Sequence, residues 1–259
     1  MGAKTKIDWC DSSWNPVTGC RHGCEYCYAK RYADRFGYMA DDHRLHELNA
    51  PIVKESHVVG VKDAKQPYPY SFAPTFHRYK LDEIQHWKRP RTIFVCSMAD
   101  LFGDWVPLAW IQEVFEACRK APQHRYLFLA KNPGRYMSLA KLEQLPTEDN
   151  FWFGTSTPKK DMPYFFGEGV NTFVSIEPLH ERFHYIGAAE PDELPNWIIV
   201  GAETGNRRGR IIPEKEWVDE IARFAQGNGI PVFMKESLRT IMGDDFKQDF
   251  PWGSSNGIL

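Results

Sequence analysis

Apolar runs rich in β-branched and aromatic residues alternate along the chain with amphipathic stretches of helical period. The apolar runs predict strands at residues 91–98, 126–130, 151–155, 172–176, 197–200 and 231–234. The amphipathic stretches predict helices at residues 106–120, 133–142 and 214–226. With a first strand just before Cys20, the chain holds six or seven βα units. Strands that alternate with helices predict an α/β protein, here a partial (β/α)6–7 TIM-like barrel with parallel strands.

The predicted helix at residues 106–120 carries one apolar face. Trp110, Ile111, Val114, Phe115 and Cys118 follow one another at helical spacing. A free cysteine in such a face packs as a small apolar residue. We therefore expect Cys118 to lie in the core.

The length of 259 residues and the 42% hydrophobic content suit a single barrel, and we expect one domain over residues 1–259. No apolar run approaches the roughly 18 residues that a membrane span requires. We therefore expect no membrane partner and a cytoplasmic protein. The net charge of -2 supplies no general attraction for nucleic acid, so any binding of a polyanion must rest on a local patch.

Three closely spaced cysteines are the main candidates for chemistry. Cys20, Cys24 and Cys27 are separated by three residues and then by two, within the run GCRHGCEYCY at residues 19–28. A loop with this spacing can wrap one corner of a cubic iron–sulfur cluster, because each soft thiolate takes one iron. The fourth iron then stays open to a small molecule. The pattern predicts a 4Fe-4S cluster held by these three metal ligands.

A structural zinc site is the alternative interpretation of the same cysteines. Tetrahedral zinc needs a fourth ligand, and His22 lies between two of the cysteines, where it reaches the ion with difficulty. No second CxxC and no CxxxH pair occurs elsewhere in the chain. The alternative function is a non-catalytic nucleic-acid-binding protein in which zinc or a cluster only braces this loop.

The cysteine spacing, together with the aromatic Tyr26 directly before the last cysteine, resembles the signature of the radical SAM superfamily. In that superfamily the open iron binds the amino and carboxylate groups of S-adenosylmethionine (SAM), and the aromatic residue packs near the adenine. An external one-electron reductant of the flavodoxin or ferredoxin type supplies the electron. Cleavage of the sulfonium releases a 5'-deoxyadenosyl radical, so the resemblance implies an enzyme.

Further stretches look like a phage-associated family of three-cysteine-motif proteins. They lie at residues 5–9, 14–20, 90–95, 97–102, 121–124, 173–179 and 197–203, and cover most of the chain from residue 5 to about 236. The gap between the first two cysteines is shorter than in many relatives, and Ala202 stands where relatives commonly have glycine. The family brings no established substrate, so this resemblance bears on the cofactors more than on the reaction.

Polar residues follow nearly every predicted strand. In parallel α/β folds, ligands bind where the carboxyl ends of the strands open into loops. We expect Lys131 to face the carboxylate of SAM, and Ser97 or Asp100 to receive its ammonium group. The candidates for contacts with the ribose hydroxyls are Thr155, Ser156, Glu177 and Glu203. For any one of these positions a solvated loop residue is the alternative.

Cys96 lies inside the predicted strand at residues 91–98, where a buried thiol is the ordinary case. Because it is close to the strand end, a hydrogen-atom donor or radical relay is the alternative role. No other residue is assigned to catalysis.

A long insert separates the cysteine motif from the next predicted strand. Residues 38–90 replace a short connection, and such length in a loop is often a sign of function. Aromatic and basic residues are mixed in residues 67–80, and Arg207, Arg208 and Arg210 form a second basic cluster. Such mixtures suit stacking on bases and contacts with phosphates, which favours a nucleotide or nucleic acid as substrate. The alternative is a lid whose aromatic residues exclude water from a radical.

Overall fold

The computed structural model describes residues 5–37, 39–40, 42–56, 63–160, 162–183, 193–204 and 208–253. The strands are β1 (Ser12–Trp14), β2 (Val17–Thr18), β3 (His46–Leu48), β4 (Val53–Lys54), β5 (Ala64–Lys65), β6 (Thr75–His77), β7 (Thr92–Val95), β8 (Arg125–Ala130), β9 (Phe151–Ser156), β10 (Asn171–Ile176), β11 (Ile198–Val200) and β12 (Val232–Met234). The α-helices are α1 (Tyr28–Phe36), α2 (Leu108–Arg119), α3 (Pro133–Lys141), α4 (Lys215–Gly227) and α5 (Arg239–Met242).

Seven strands of the described residues form one sheet, in the order β1-β7-β8-β9-β10-β11-β12. Every neighbouring pair in this sheet runs parallel. The sheet curls into a half-barrel, and helices α2, α3 and α4 pack on its outer side. The predicted partial barrel of parallel strands is confirmed. Within the described ranges, no helix is long and apolar enough to cross a membrane.

The predicted elements are present, with ends that differ by a few residues. The largest difference is at residues 91–98, because strand β7 ends at Val95. Cys96 follows with a φ of 59°, and this left-handed conformation ends an extended strand. Helix α1 is absent from the predicted elements, since its buried face consists only of Ala29 and Ala33. Two small residues give too weak an apolar period to be recognised.

Side chains of each barrel strand alternate between two apolar layers. The inner, concave layer contains Trp9, Phe94, Leu127, Trp152, Phe173, Trp197, Ile199 and Phe233. The outer layer includes Phe128 and Phe153, which pack with Phe115 of helix α2 and Tyr136 of helix α3. Cys118 is fully buried in this outer layer, as expected. A shift of one position therefore decides whether a strand-end side chain faces the barrel mouth or the helices.

The insert packs against the cysteine loop, and its strands β3 and β6 form a small sheet with β2. Strand β6 pairs antiparallel with β2 and parallel with β3. The backbone N–H of Cys20 donates to the carbonyl of Phe72 at 3.2 Å. Phe72 and Tyr68 are buried together with the two alanines of helix α1. The described part of the insert thus braces the loop that carries the cysteines.

Gly19 is expected to be the least replaceable glycine of this loop. Its φ of 87° lies in the left-handed region, and a Cβ would stand 2.3 Å from the carbonyl oxygen of Ala73. Conformational strain and a collision with backbone both oppose the folded state. We expect Gly19→Ala to lower the free energy of unfolding by roughly 3 kcal/mol or more, as measured by chemical denaturation.

Gly23 provides the matched control for that substitution. Its φ is 68°, but a Cβ there would meet nothing within 4 Å. Gly23→Ala therefore carries only the conformational cost, about 1 to 2 kcal/mol. Equal losses in the two variants would contradict a tight contact between Gly19 and the insert.

His77 is expected to make the stability of the insert depend on pH. Its ring is fully buried, with Thr18 Oγ1 at 2.9 Å and the hydroxyl of Tyr79 at 3.2 Å. Burial lowers the pKa of His77 from 6.5 to about 3. Between these two pH values the unfolded chain binds a proton at His77 that the folded chain does not bind. The free energy of unfolding therefore falls as the pH falls from about 6.5 towards 3.

The variant His77→Gln tests this dependence, because glutamine is polar but does not titrate. We expect its free energy of unfolding to fall less steeply than that of the wild type over the same pH window. Denaturant titrations at a series of pH values measure the two slopes. Parallel curves for the two proteins would show that His77 does not carry the effect.

Candidate functional site

A cavity opens at the carboxyl ends of strands β7 to β12, with about 220 Å³ of space for water-sized molecules. Cys20, Cys24 and Cys27 all line it. The polar residues that join them include Tyr26, Ser97, Asp100, Lys131, Ser156, Glu177, Glu203 and Lys235. Apolar side chains, among them Trp9 and Phe94, also line it. The barrel mouth thus unites the cysteine motif with most of the predicted ligand contacts.

The cysteine loop is held in place through its backbone. The N–H of Gly19 donates to the carbonyl of Met98 at 2.9 Å, and the N–H of Cys27 donates to the carbonyl of Cys24 at 3.1 Å. Cys27 also caps helix α1, because its sulfur accepts a hydrogen bond from the N–H of Lys30 at 3.3 Å.

The three thiols of the motif are free and half-buried. Burial raises the pKa of Cys20 to about 12, so a metal that binds this sulfur must displace a proton. Within the described residues, no three His, Cys, Asp or Glu side chains converge closely enough to hold a metal ion. Thiolates that share a cluster each bind a different iron, whereas the ligands of zinc meet at one ion. The assignment of the cysteines as metal ligands stays a prediction.

Asp100 ties the cysteine loop to the ends of two strands. One of its carboxylate oxygens lies 2.7 Å from His22 Nε2 and accepts the backbone N–H of Lys131 at 2.9 Å. The other accepts the N–H of Phe102 at 3.0 Å. Asp100 is only 5% exposed. Its lone pairs are thus largely occupied within the protein, which suits a positioning role better than the predicted contact with the ammonium of SAM.

Lys131 places its ammonium group inside the cavity among neutral partners. Its Nζ donates to Ser156 Oγ at 3.0 Å and to the hydroxyl of Tyr26 at 3.2 Å. It also lies 5.3 Å from the centre of the Tyr26 ring. Burial raises the pKa of Tyr26, and the nearby Lys131 charge opposes that rise. In the part of the chain that the structure describes, no carboxylate pairs with Lys131, so its charge is available for an anionic group.

Two acidic residues of the cavity each have a basic neighbour. Glu177 forms an ion pair with Lys235. Glu203 is 6% exposed, and its Oε2 lies 3.4 Å from Nε2 of His180. The His180 ring meets the edge of the Tyr26 ring, with centroids 5.5 Å apart. Both glutamates therefore occupy the predicted site, as acceptors whose charge is partly balanced.

Two of the predicted residues, Ser97 and Thr155, have partners within the protein. Ser97 lines the cavity, but its hydroxyl donates to Asn15 Oδ1 at 3.1 Å. Thr155 faces the outer layer, where its Oγ1 accepts the N–H of Phe165 at 3.0 Å, and it does not line the cavity. Strand alternation gives the inner position to Ser156, so Ser156 is better placed than Thr155 for the predicted ribose contact.

Cys96 lies away from this cavity. Its side chain is buried in the outer layer, among the residues packed against helix α2. Burial raises its pKa to about 12. It does not line the cavity. The ordinary interpretation, a buried core thiol, describes it.

Two aromatic residues of the insert are placed where they do not serve the predicted base stacking. Tyr68 and Phe72 are 8% and 5% exposed and pack beneath the cysteine loop, so their faces are closed to a base. Phe72 lines the cavity, which agrees better with the lid interpretation. Arg208 and Arg210 are exposed, and Arg207 lies outside the described residues.

Sequence reasoning missed several residues of the site. His22 was considered only as a zinc ligand, whereas it bonds to Asp100 from within the cysteine loop. Trp9 lies in the inner layer and lines the cavity, and Arg31 of helix α1 stands at its edge. A signal for Trp9 was present, because Ile7 and Trp9 alternate with polar residues shortly before strand β1. No local signal marks Arg31.

A family model described as "Protein of unknown function (DUF5131)" matches residues 4–241 of the chain. That range holds the cysteine loop and every strand of the barrel sheet in the described residues. No curated protein and no solved structure matches the chain. The function therefore has to be inferred from the residues of the cavity.

Proposed function

We propose that this chain, which belongs to the DUF5131 family of proteins of unknown function, is a radical SAM enzyme. Such an enzyme reductively cleaves SAM at a 4Fe-4S cluster to give a 5'-deoxyadenosyl radical. One observation carries the proposal: the three closely spaced cysteines line the same cavity as the Lys131 ammonium, which pairs with no carboxylate of the described residues. A loop of soft sulfur donors beside a pocket that holds both basic and acidic side chains suits a cluster and a zwitterionic ligand.

The residues of the cavity fit both groups. Cys20, Cys24 and Cys27 offer free sulfur donors, and the apolar Trp9 and Phe94 offer surface for a nucleoside. When bound, the cluster supplies the electron for the cleavage of SAM. Hydrophobic residues beside the ligand exclude water, which strengthens every charged contact in the cavity.

The chain's own polar residues bind and orient the ligand. We assign Lys131 to an anionic carboxylate, because its three N–H donors have only neutral partners in the described residues. Ser156 and Tyr26 hold the lysine head group in place. Glu177 and Glu203 provide acceptors for hydroxyl or ammonium groups of the ligand.

A second cavity with about 430 Å³ of space adjoins the cysteine loop. The three cysteines line it together with Arg21 and Lys30, among others. We assign the approach of an external one-electron reductant, of the flavodoxin or ferredoxin type, to this side. Arg21 favours an acidic carrier. We expect the enzyme to work in the reducing cytoplasm, where thiols stay free.

Anaerobic reconstitution tests the proposal. We expect about four iron and four sulfide per chain, and addition of SAM should perturb the electron paramagnetic resonance spectrum of the reduced cluster. Incubation of the reduced protein with SAM should release 5'-deoxyadenosine. One zinc per chain with no sulfide would instead support the non-catalytic alternative, in which the cysteines only brace a nucleic-acid-binding loop.

A further inference from the structure

We propose that the exposed face of helix α1 binds single-stranded nucleic acid and guides an unpaired base to the cavity. The proposal names a substrate class for the enzyme described above and rests on that function for its chemistry. The binding itself does not depend on SAM cleavage, so the two can be tested apart.

Three aromatic side chains form a stripe along helix α1. Tyr28, Tyr32 and Phe36 are 52%, 51% and 43% exposed, and contiguous exposed apolar surface marks an interaction site. They stand four residues apart, so they lie on one side of the helix, about 6 Å from one another along its axis. Only the small Ala29 and Ala33 of this helix are buried. The three aromatic rings thus form a row on the solvent-exposed side of the helix.

A row of cations runs beside this aromatic stripe. Arg31 and Arg35 also stand four residues apart, and both are exposed. Asp34, the acidic residue of the helix, pairs with Lys30 at 2.8 Å. In the described part of the chain, neither arginine forms a salt bridge with a carboxylate. The Arg35 guanidinium lies 5.4 Å from the centre of the Phe36 ring. Guanidinium groups without a carboxylate partner among the described residues, next to exposed rings, match the phosphates and bases of a single strand.

The aromatic stripe leads into the cavity. Tyr28 and Arg31 both line the cavity, and the hydroxyl of Tyr28 donates to the carbonyl of Ser97 at 2.7 Å. Tyr32 and Phe36 follow along the helix. A single strand stacked on these rings would end at the cavity that the three cysteines and Lys131 line. Enzymes that act on a base need that base outside the stack of a duplex. In a single strand the base is already unpaired, so no free energy is spent on separating a base pair.

Nucleic acid fits this face better than an acidic protein does. An acidic electron carrier would be attracted by the same arginines, but it has no bases to place on rings that repeat along a helix. Among the described aromatic residues of the insert, Tyr68 and Phe72 are buried and the Tyr70 ring is stacked on His46. Helix α1 therefore takes the role that the sequence alone suggested for residues 67–80.

Fluorescence anisotropy of labelled single-stranded DNA and RNA oligonucleotides, with the reconstituted full chain, tests the proposal. Wild-type affinity should fall as salt rises, and Arg35→Gln should reduce the slope of log affinity against log salt by about 0.7. Tyr32→Ala should weaken binding roughly tenfold with little change in that slope, while Tyr32→Phe, which keeps the ring, should bind as the wild type does.

Matched controls lie on other faces of the molecule. Phe166 is 40% exposed and Lys120 is exposed at the end of helix α2. Phe166→Ala and Lys120→Gln should leave binding unchanged. If these two controls weaken oligonucleotide binding as much as the α1 variants do, the binding surface is not on helix α1. The same follows if Tyr32→Phe loses as much affinity as Tyr32→Ala. If the α1 variants change only the rate of reduction by an acidic carrier, the occupant is that protein and the proposal is overturned.

Release of 5'-deoxyadenosine by the wild type, measured without oligonucleotide, separates the two proposals. Release without any oligonucleotide binding at low salt would overturn the α1 surface and leave the enzyme standing. Salt-dependent binding that is lost in Tyr32→Ala, without release of 5'-deoxyadenosine, would support the surface and overturn the radical SAM function.

Discussion

Replacement of Cys20, Cys24 or Cys27 by alanine is expected to abolish the reconstituted cluster or leave it labile. Each thiolate binds one iron, so the loss of one ligand leaves only two to hold the cube. Among the described residues no other cysteine lines the cavity and could take its place. The brown absorbance and the iron and sulfide contents after anaerobic reconstitution measure the loss.

Two other cysteines serve as controls for this experiment. Cys10 has its sulfur 3.9 Å from the carbonyl oxygen of Ile7, and Cys118 is fully buried on the core-facing side of helix α2. Neither lines the cavity. Cys10→Ala and Cys118→Ala should keep the iron content of the wild type, at a cost of about 1 kcal/mol in stability. Iron loss from Cys118→Ala as severe as from Cys24→Ala would overturn the assignment of ligands.

Lys131→Ala is expected to weaken the binding of SAM by roughly 1.5 to 3 kcal/mol, the range of a charge-assisted hydrogen bond. The ammonium group has no carboxylate partner among the described residues. The carboxylate of SAM therefore does not compete with a protein carboxylate for the Lys131 charge. Titration calorimetry of SAM into the reconstituted protein measures the loss.

Ser156→Ala distinguishes the effect of the Lys131 charge from the effect of the hydrogen bond that holds its ammonium group. This variant removes one hydrogen-bond partner of the lysine, at 3.0 Å, and leaves the ammonium in place. We expect a smaller loss of affinity, about 0.5 to 1.5 kcal/mol. An unchanged affinity in Lys131→Ala would remove this residue from the SAM site.

The predictable part of the fold consists of elements with a strong local period. Strands β8, β9 and β10 lie within one residue of their predicted bounds, because each is a continuous buried run. Helix α2 was recognisable from its wide apolar face. Helix α1 was not, since packing against the insert needs only two alanines from it. Its exposed rings and arginines therefore stayed hidden until the structure placed them.

The sequence by itself determined the parallel half-barrel and the grouping of Cys20, Cys24 and Cys27 in one loop, because periodicity and spacing are local properties of the chain. Only the tertiary structure decided which polar residues share the cavity with them. It assigned Ser156 to the inner face and Thr155 to the outer one, and it joined His22 to Asp100 across 78 positions of sequence. Such contacts depend on how the strands curl and how distant loops meet, and no local pattern carries that information.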